Sequence, residues 1–82
     1  MKKKVEHELK SDTDKVIKEI GAKIRLHRKS LWKNYESFSQ EKNLNKVTVS
    51  KIENGDEYLL RNLIICIHSL DMTLEDFFRG IK

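Results

Sequence analysis

The sequence predicts an all-α protein, a compact bundle of five helices, on three observations. The chain has no proline and only three glycines in 82 residues, so few positions interrupt a helix. Its apolar residues recur at spacings of three and four, the period of a half-buried helix. Residues that cap helices, chiefly asparagine, threonine and glycine, stand between those apolar runs. The length allows one domain, near the size where a single hydrophobic core becomes marginal.

Residues 1–11 mix lysine with glutamate and carry little apolar content, so they are read as a flexible basic arm ahead of a domain spanning 12–82. Lys2, Lys3 and Lys4 either add phosphate contacts or simply solubilise the terminus, the second reading being slightly favoured. Ser11, Asp12 and Thr13 offer N-caps for a first helix from about Asp12 to Lys29, with acidic residues early and basic ones late, as the helix dipole prefers. Its apolar arc runs through Ile17, Ile20, Ile24 and Leu31. Gly21 costs about 1 kcal/mol there relative to alanine, which suggests that another helix comes close. Lys23, Arg25, Arg28, Lys29 and Lys33 form a basic run free of acids, spread over several faces, and His27 reads as a packed or partly buried residue. Leu31 and Trp32 are expected to plug the edge of the core. Asn34 then caps a second helix, Tyr35 to about Lys42, anchored by Phe38 with the small Ser39 beside it. Asn43 suits a left-handed turn, and Leu44 is expected to pack beneath it.

The third helix, Asn45 to Gly55, has both ends written into the sequence: Asn45 caps the start and Gly55 takes the left-handed turn that closes it. At about 100° per residue, Val49 and Ile52 point inward while Val47, Ser50, Lys51 and Asn54 share the opposite arc. That outward arc is small, polar and basic, the chemistry required at the edge of a DNA groove. Glu53 sits beside the inward arc, where a carboxylate needs a cation. Arg28, at the edge of the apolar arc of the first helix, is the proposed partner; the alternative is that both charges reach solvent along their stems. Two short helices joined by about three residues make a helix-turn-helix pattern.

Asp56 to Tyr58 reads as a loop, and a fourth helix, about Leu59 to Leu70, carries Leu60, Leu63, Ile64, Ile67 and Leu70 at helical spacing. Cys66 is a core or near-core residue, and as the only cysteine it forms no internal disulfide, which fits a reducing cytoplasm. Thr73 caps a fifth helix whose Leu74, Phe77, Phe78 and Ile81 close the core; any apolar surplus would make this helix a dimer contact. No apolar run reaches the ~20 residues of a membrane span, and Met1-Lys2-Lys3-Lys4 opens like a signal peptide with no apolar segment behind it. The protein is therefore expected to be soluble and intracellular.

Charge divides the chain. Residues 1–51 hold 14 Lys or Arg against 7 Asp or Glu, and residues 52–82 hold 3 against 6; the resulting +7 and −3 make up the net +4. A basic half joined to an acidic half suggests one side that faces a polyanion. His7, His27 and His68 are scattered, Cys66 and His68 point to different faces of one helix, and no metal spacing, phosphate loop or nucleophile constellation appears. No enzymatic activity, cofactor or metal site is expected.

These residues resemble the Xre or Cro/phage-repressor type of helix-turn-helix DNA-binding domain, over about Ile20 to Phe78. The resemblance rests on Ile20-Gly21-Ala22-Lys23-Ile24-Arg25 with Arg28-Lys29, on Val49-Ser50-Lys51-Ile52-Glu53-Asn54-Gly55, and on Leu74-Glu75-Asp76-Phe77-Phe78, the middle segment being the most diagnostic. It implies a phage-repressor-type bundle of five helices, the second and third forming the DNA-binding unit, in a bacterial cytoplasm at the nucleoid. It also implies that the third helix lies in the major groove. Lys46, Val47, Ser50 and Lys51 then match positions that face base edges, while Asn34, Tyr35, Thr48 and Asn54 match phosphate-contacting positions. Arg28 and Glu53 match an ion pair common in the family. Ser39, Lys42 and Asn43 depart mildly from the pattern, and the loop after Gly55 carries Asp56 and Glu57 where basic residues are frequent.

Lysines 46 and 51 can donate to guanine O6 or N7, and Val47 suits a thymine methyl. A single domain with a few such contacts, each worth roughly 1–3 kcal/mol, cannot select one genomic site. The expected function is a homodimeric transcriptional regulator, a repressor by default, bound to a pseudo-palindromic operator in double-stranded DNA. The competing reading is an antitoxin-like module whose main task is to bind a toxin or other protein partner, residues 1–12 folding on contact.

Overall fold

A computed structural model describes residues 6–81, with side chains described from Leu9 onward. Five helices follow one another: α1 (Glu6–Leu31), α2 (Tyr35–Glu41), α3 (Lys46–Asn54), α4 (Leu60–Ser69) and α5 (Leu74–Phe78). Among the described residues there is no strand. The core is one cluster: Ile20 and Ile24 of α1, Phe38 of α2, Val49 and Ile52 of α3, Leu63, Cys66 and Ile67 of α4, Leu70, and Phe77 of α5. Each helix therefore contributes at least one buried side chain, as a small bundle requires. No helix among the described residues is long and apolar enough to cross a membrane.

α1 is longer than the sequence suggests. It begins by Glu6, not Asp12, and its 26 residues extend roughly 39 Å, which gives the molecule its 46 Å long axis. Ser11, Asp12 and Thr13 are interior helical residues, not caps; the Thr13 hydroxyl donates to the Leu9 carbonyl one turn back. No glycine or proline separates Glu6 from Asp12, so cap-forming residues do not by themselves stop the helix. Part of the expected arm is thus helical, while Lys2, Lys3 and Lys4 lie outside the described residues, as does the His7 side chain.

Three other expectations are corrected, the first being that Leu74 and Phe78 of α5 stay exposed and only Phe77 of that helix is buried in the core. Leu31 is exposed; Trp32 alone turns inward, its ring 4.9 Å from that of Phe38 and its indole N–H donating to Glu41. The chain leaves the helix at that point, which swings the next side chain, not Leu31, over the core. Leu60 is likewise exposed, because the buried arc of α4 runs through Leu63, Cys66, Ile67 and Leu70. Leu59 precedes the helix as its N-cap and provides no side-chain hydrogen bond.

α1 ends at Leu31, two residues beyond the expected Lys29, and the boundaries of α2, α3 and α4 agree to within a residue. Asn43 has φ 55°, so the turn between α2 and α3 is left-handed at the expected asparagine, and Leu44 packs against the core below it. Asp71 (φ 59°) performs the same turn after α4. α5 is capped by the Thr73 hydroxyl, which accepts from the Asp76 N–H. Lys23 ties α5 to α1, donating to the Arg79 carbonyl at 2.9 Å with its ammonium 5.3 Å from the Phe77 ring centre.

Candidate nucleic-acid interface

The candidate interface comprises α3 and the turn before it. Asn45 stands in extended backbone (φ −76°, ψ 118°), and its side-chain oxygen accepts from the N–H groups of Val47 and Thr48 at 2.9 and 3.3 Å. These donors would otherwise be unpaired at the helix start. At the other end Gly55 is left-handed (φ 76°), and the Asp56 N–H returns to the Lys51 carbonyl at 2.9 Å. Both ends of a nine-residue helix are thereby fixed by local chemistry.

The inner side is fixed by close approach and charge. A Cβ at Gly21 would lie 2.4 Å from the Ile52 carbonyl oxygen and 2.7 Å from that of Glu53, so only glycine lets α1 approach the α3 backbone this closely. Glu53 is 8% exposed and Arg28 3%. Arg28 grips the carboxylate with two parallel hydrogen bonds, Nη2 to Oε1 at 2.7 Å and Nε to Oε2 at 3.0 Å. Its remaining nitrogen donates to the carbonyls of Trp32 at 3.4 Å and Lys33 at 3.2 Å. One guanidinium thus joins α1, α3 and the turn that carries Asn34. Such fork geometry satisfies both charges, the condition on which a buried pair is tolerated. Arg25 adds a second donor, Nε to Oε1 at 3.2 Å, from a half-exposed position. Its part was not read from the sequence, although its spacing of three from Arg28 places it on the neighbouring helix surface.

The outer side of α3 is open. Lys46, Val47, Lys51 and Asn54 are exposed, Val47 by 56%, and Thr48 and Ser50 are half-buried. The Asn54 amide donates to the Ser50 hydroxyl at 3.2 Å, so these two are pre-oriented by one another. At the start of α2, the exposed Asn34 uses its side-chain oxygen to accept from the Ser37 N–H at 2.8 Å. Tyr35 is half-buried against the core. All eight residues expected to face DNA therefore lie on α3 or at the start of α2. The four-residue turn Lys42–Asn45 joins the two helices. The only carboxylate on α3 is Glu53, turned inward and paired.

Behind α3, Cys66 lies in the core. Burial pushes its thiol up to about 12, with the Glu53 carboxylate adding to the shift. Burial also raises the phenol of Tyr58, with Cys66 contributing. Among the described residues no group of three or more His, Cys, Asp and Glu side chains could hold a metal ion. Comparison with protein-family models, curated proteins and solved structures finds no match.

Proposed function

We propose that the chain is a sequence-specific, double-stranded-DNA-binding transcriptional regulator of the phage-repressor helix-turn-helix type. It acts as a homodimer on a pseudo-palindromic operator, by default as a repressor, with α3 in the major groove and no catalytic role. The observation that carries this reading is the contrast between the two sides of α3. Its inner side is clamped by Gly21, Arg28 and Glu53, while its outer side presents two lysines, a valine and a serine with no exposed acid. A helix needs its own backbone fixed before side chains on it can read base edges, since each contact depends on sub-ångström placement.

In this reading Lys46 and Lys51 donate to guanine acceptors, Val47 meets a thymine methyl and Ser50, oriented by Asn54, hydrogen-bonds to a base edge. Asn34 and Tyr35 at the start of α2, Thr48, and the Asn54 amide hold phosphates and set the register. Selection of sites from a random duplex pool tests it. An enriched inverted repeat with half-sites about 34 Å apart is the expected outcome; a pool that stays random would contradict it.

A second reading, an antitoxin-like module that binds a protein partner, is favoured by one observation. The stretch Leu9–Lys15 of α1 is exposed on every side, Leu9 included, as a helix prepared for a partner would be. Stoichiometric copurification with another protein, and no enriched DNA site, would establish it.

A further inference from the structure

Where α1 leaves the bundle, a groove of about 540 Å³ opens between it, the loop after α3 and the start of α4. Its floor is apolar, made by Ile17, Ile20, Tyr58 and Leu63, with Leu60 at the edge. Its rim is acidic: Asp14, Asp56 and Glu57 line it, no lysine or arginine does, and none of the three forms an ion pair among the described residues. A groove with this pattern suits a short segment that carries both apolar and cationic side chains. The chain contains one such segment outside the described residues, Met1-Lys2-Lys3-Lys4-Val5, with three lysines against three carboxylates and an apolar residue at each end.

The segment cannot serve its own groove. Ile17 lies eleven positions along α1 from Glu6, roughly 16 Å at 1.5 Å per residue. Five residues reach at most about 18 Å fully extended, leaving no length for the reversal needed to place lysines beside Asp56 and Glu57. A second copy removes the difficulty. If two α1 helices lie antiparallel about an axis near Ser11, residues 2–5 of one fall alongside residues 17–20 of the other, and the exposed stretch Leu9–Lys15 of each packs on its mate. The exchange is reciprocal, so it closes as a dimer and does not propagate.

We infer that this groove receives the Met1–Val5 segment of a second copy, so that the homodimer forms by exchange of N-terminal arms. The inference rests on the homodimeric reading above and assigns its contact surface. The lysines of each arm pair with Asp14, Asp56 and Glu57 of the other copy, while Met1 and Val5 cover its apolar floor. Association should therefore weaken as salt rises.

Sedimentation equilibrium of the full chain is the test. It compares the parent protein with an arm variant (K2E, K3E and K4E together) and a groove variant (D56K and E57K together). Both sets change exposed or terminal positions, so folding, checked by circular dichroism, should be retained. Each variant alone should self-associate about tenfold more weakly or worse, and an equimolar mixture of the two should recover association as a heterodimer. A parent protein that stays monomeric at high micromolar concentration overturns the inference. So does a dimer indifferent to both variants, or one abolished instead by L74D and F78D on α5. In the last two cases, retained binding to an inverted repeat would leave the regulator reading standing, which separates the two failures.

Discussion

α3 and α4 are nearly equal in length, nine and ten residues, yet they are held by different means. α3 is capped by a side chain at its start and by a left-handed glycine at its end. It is fastened inward by a bidentate ion pair and by a backbone approach that tolerates no Cβ. α4 has no side-chain cap and is held by burial of Leu63, Cys66 and Ile67, with Leu59, Leu60 and Ile65 exposed. Apolar burial is strong but non-directional, so it fixes a helix in the bundle without fixing its rotation closely. Hydrogen-bonded caps and ion pairs fix orientation. α3, the helix proposed to read base edges, is the one that receives them.

This contrast can be broken most forcibly at Glu53. Glu53→Gln leaves two arginines without their carboxylate and should cost about 3–5 kcal/mol of stability, seen as a large drop in the urea midpoint; an unchanged midpoint would show that the pair holds nothing. Gly21→Ala comes next. Helix propensity alone would favour it by about 1 kcal/mol, but the clash with two carbonyl oxygens should make it destabilising by about 1–3 kcal/mol net. A stabilised variant would mean that α1 and α3 can separate enough to admit a methyl group.

On the outer side, Lys51→Ala should leave the melting temperature unchanged and weaken binding to a selected site by about 1–3 kcal/mol. Equal losses on selected and random duplex would reassign Lys51 to a phosphate. The caps sharpen the comparison further. Asn45→Ala should lose about 1 kcal/mol, whereas Leu59→Asp, which supplies α4 with the acceptor it lacks, should gain up to about 1 kcal/mol. If both changes are neutral, capping does not distinguish the two helices.

Cys66 gives a pH test of the shared core behind both. Its folded thiol is raised from 9.0 to about 12, chiefly by burial, so the fold favours the protonated form. The unfolded chain then releases its proton first, and stability should fall as pH climbs from 9.0 toward 12. Cys66→Ala should flatten that decline, and native Cys66 should resist thiol reagents at neutral pH; rapid labelling of the folded protein would contradict its burial.

The parts legible in the sequence were those governed by neighbours a few residues away. Asn45, Gly55, Asn43 and Thr73 act within one turn of the chain, and the structure has each where local chemistry puts it. The Arg28–Glu53 pair was legible for another reason: a carboxylate beside an apolar arc demands a cation, and few were near the right arc. The start of α1 was not legible, because Ser11, Asp12 and Thr13 fit a helix interior as well as a cap. Nor was the buried arc of α4, since a helix apolar over more than half its circumference leaves its rotation undetermined. Arg25 was hidden in a run of basic residues, and only the packing of α1 on α3 singles it out.

The account turns on whether the outer side of α3 reads bases. The most direct measurement titrates the protein against the duplex enriched by selection and against a scrambled duplex of equal length, at two salt concentrations. The account predicts affinity at least about a thousandfold higher for the enriched duplex, a preference that survives when added salt weakens both. Equal affinities that vanish together as salt rises would mean that net charge alone attracts DNA, and would contradict it.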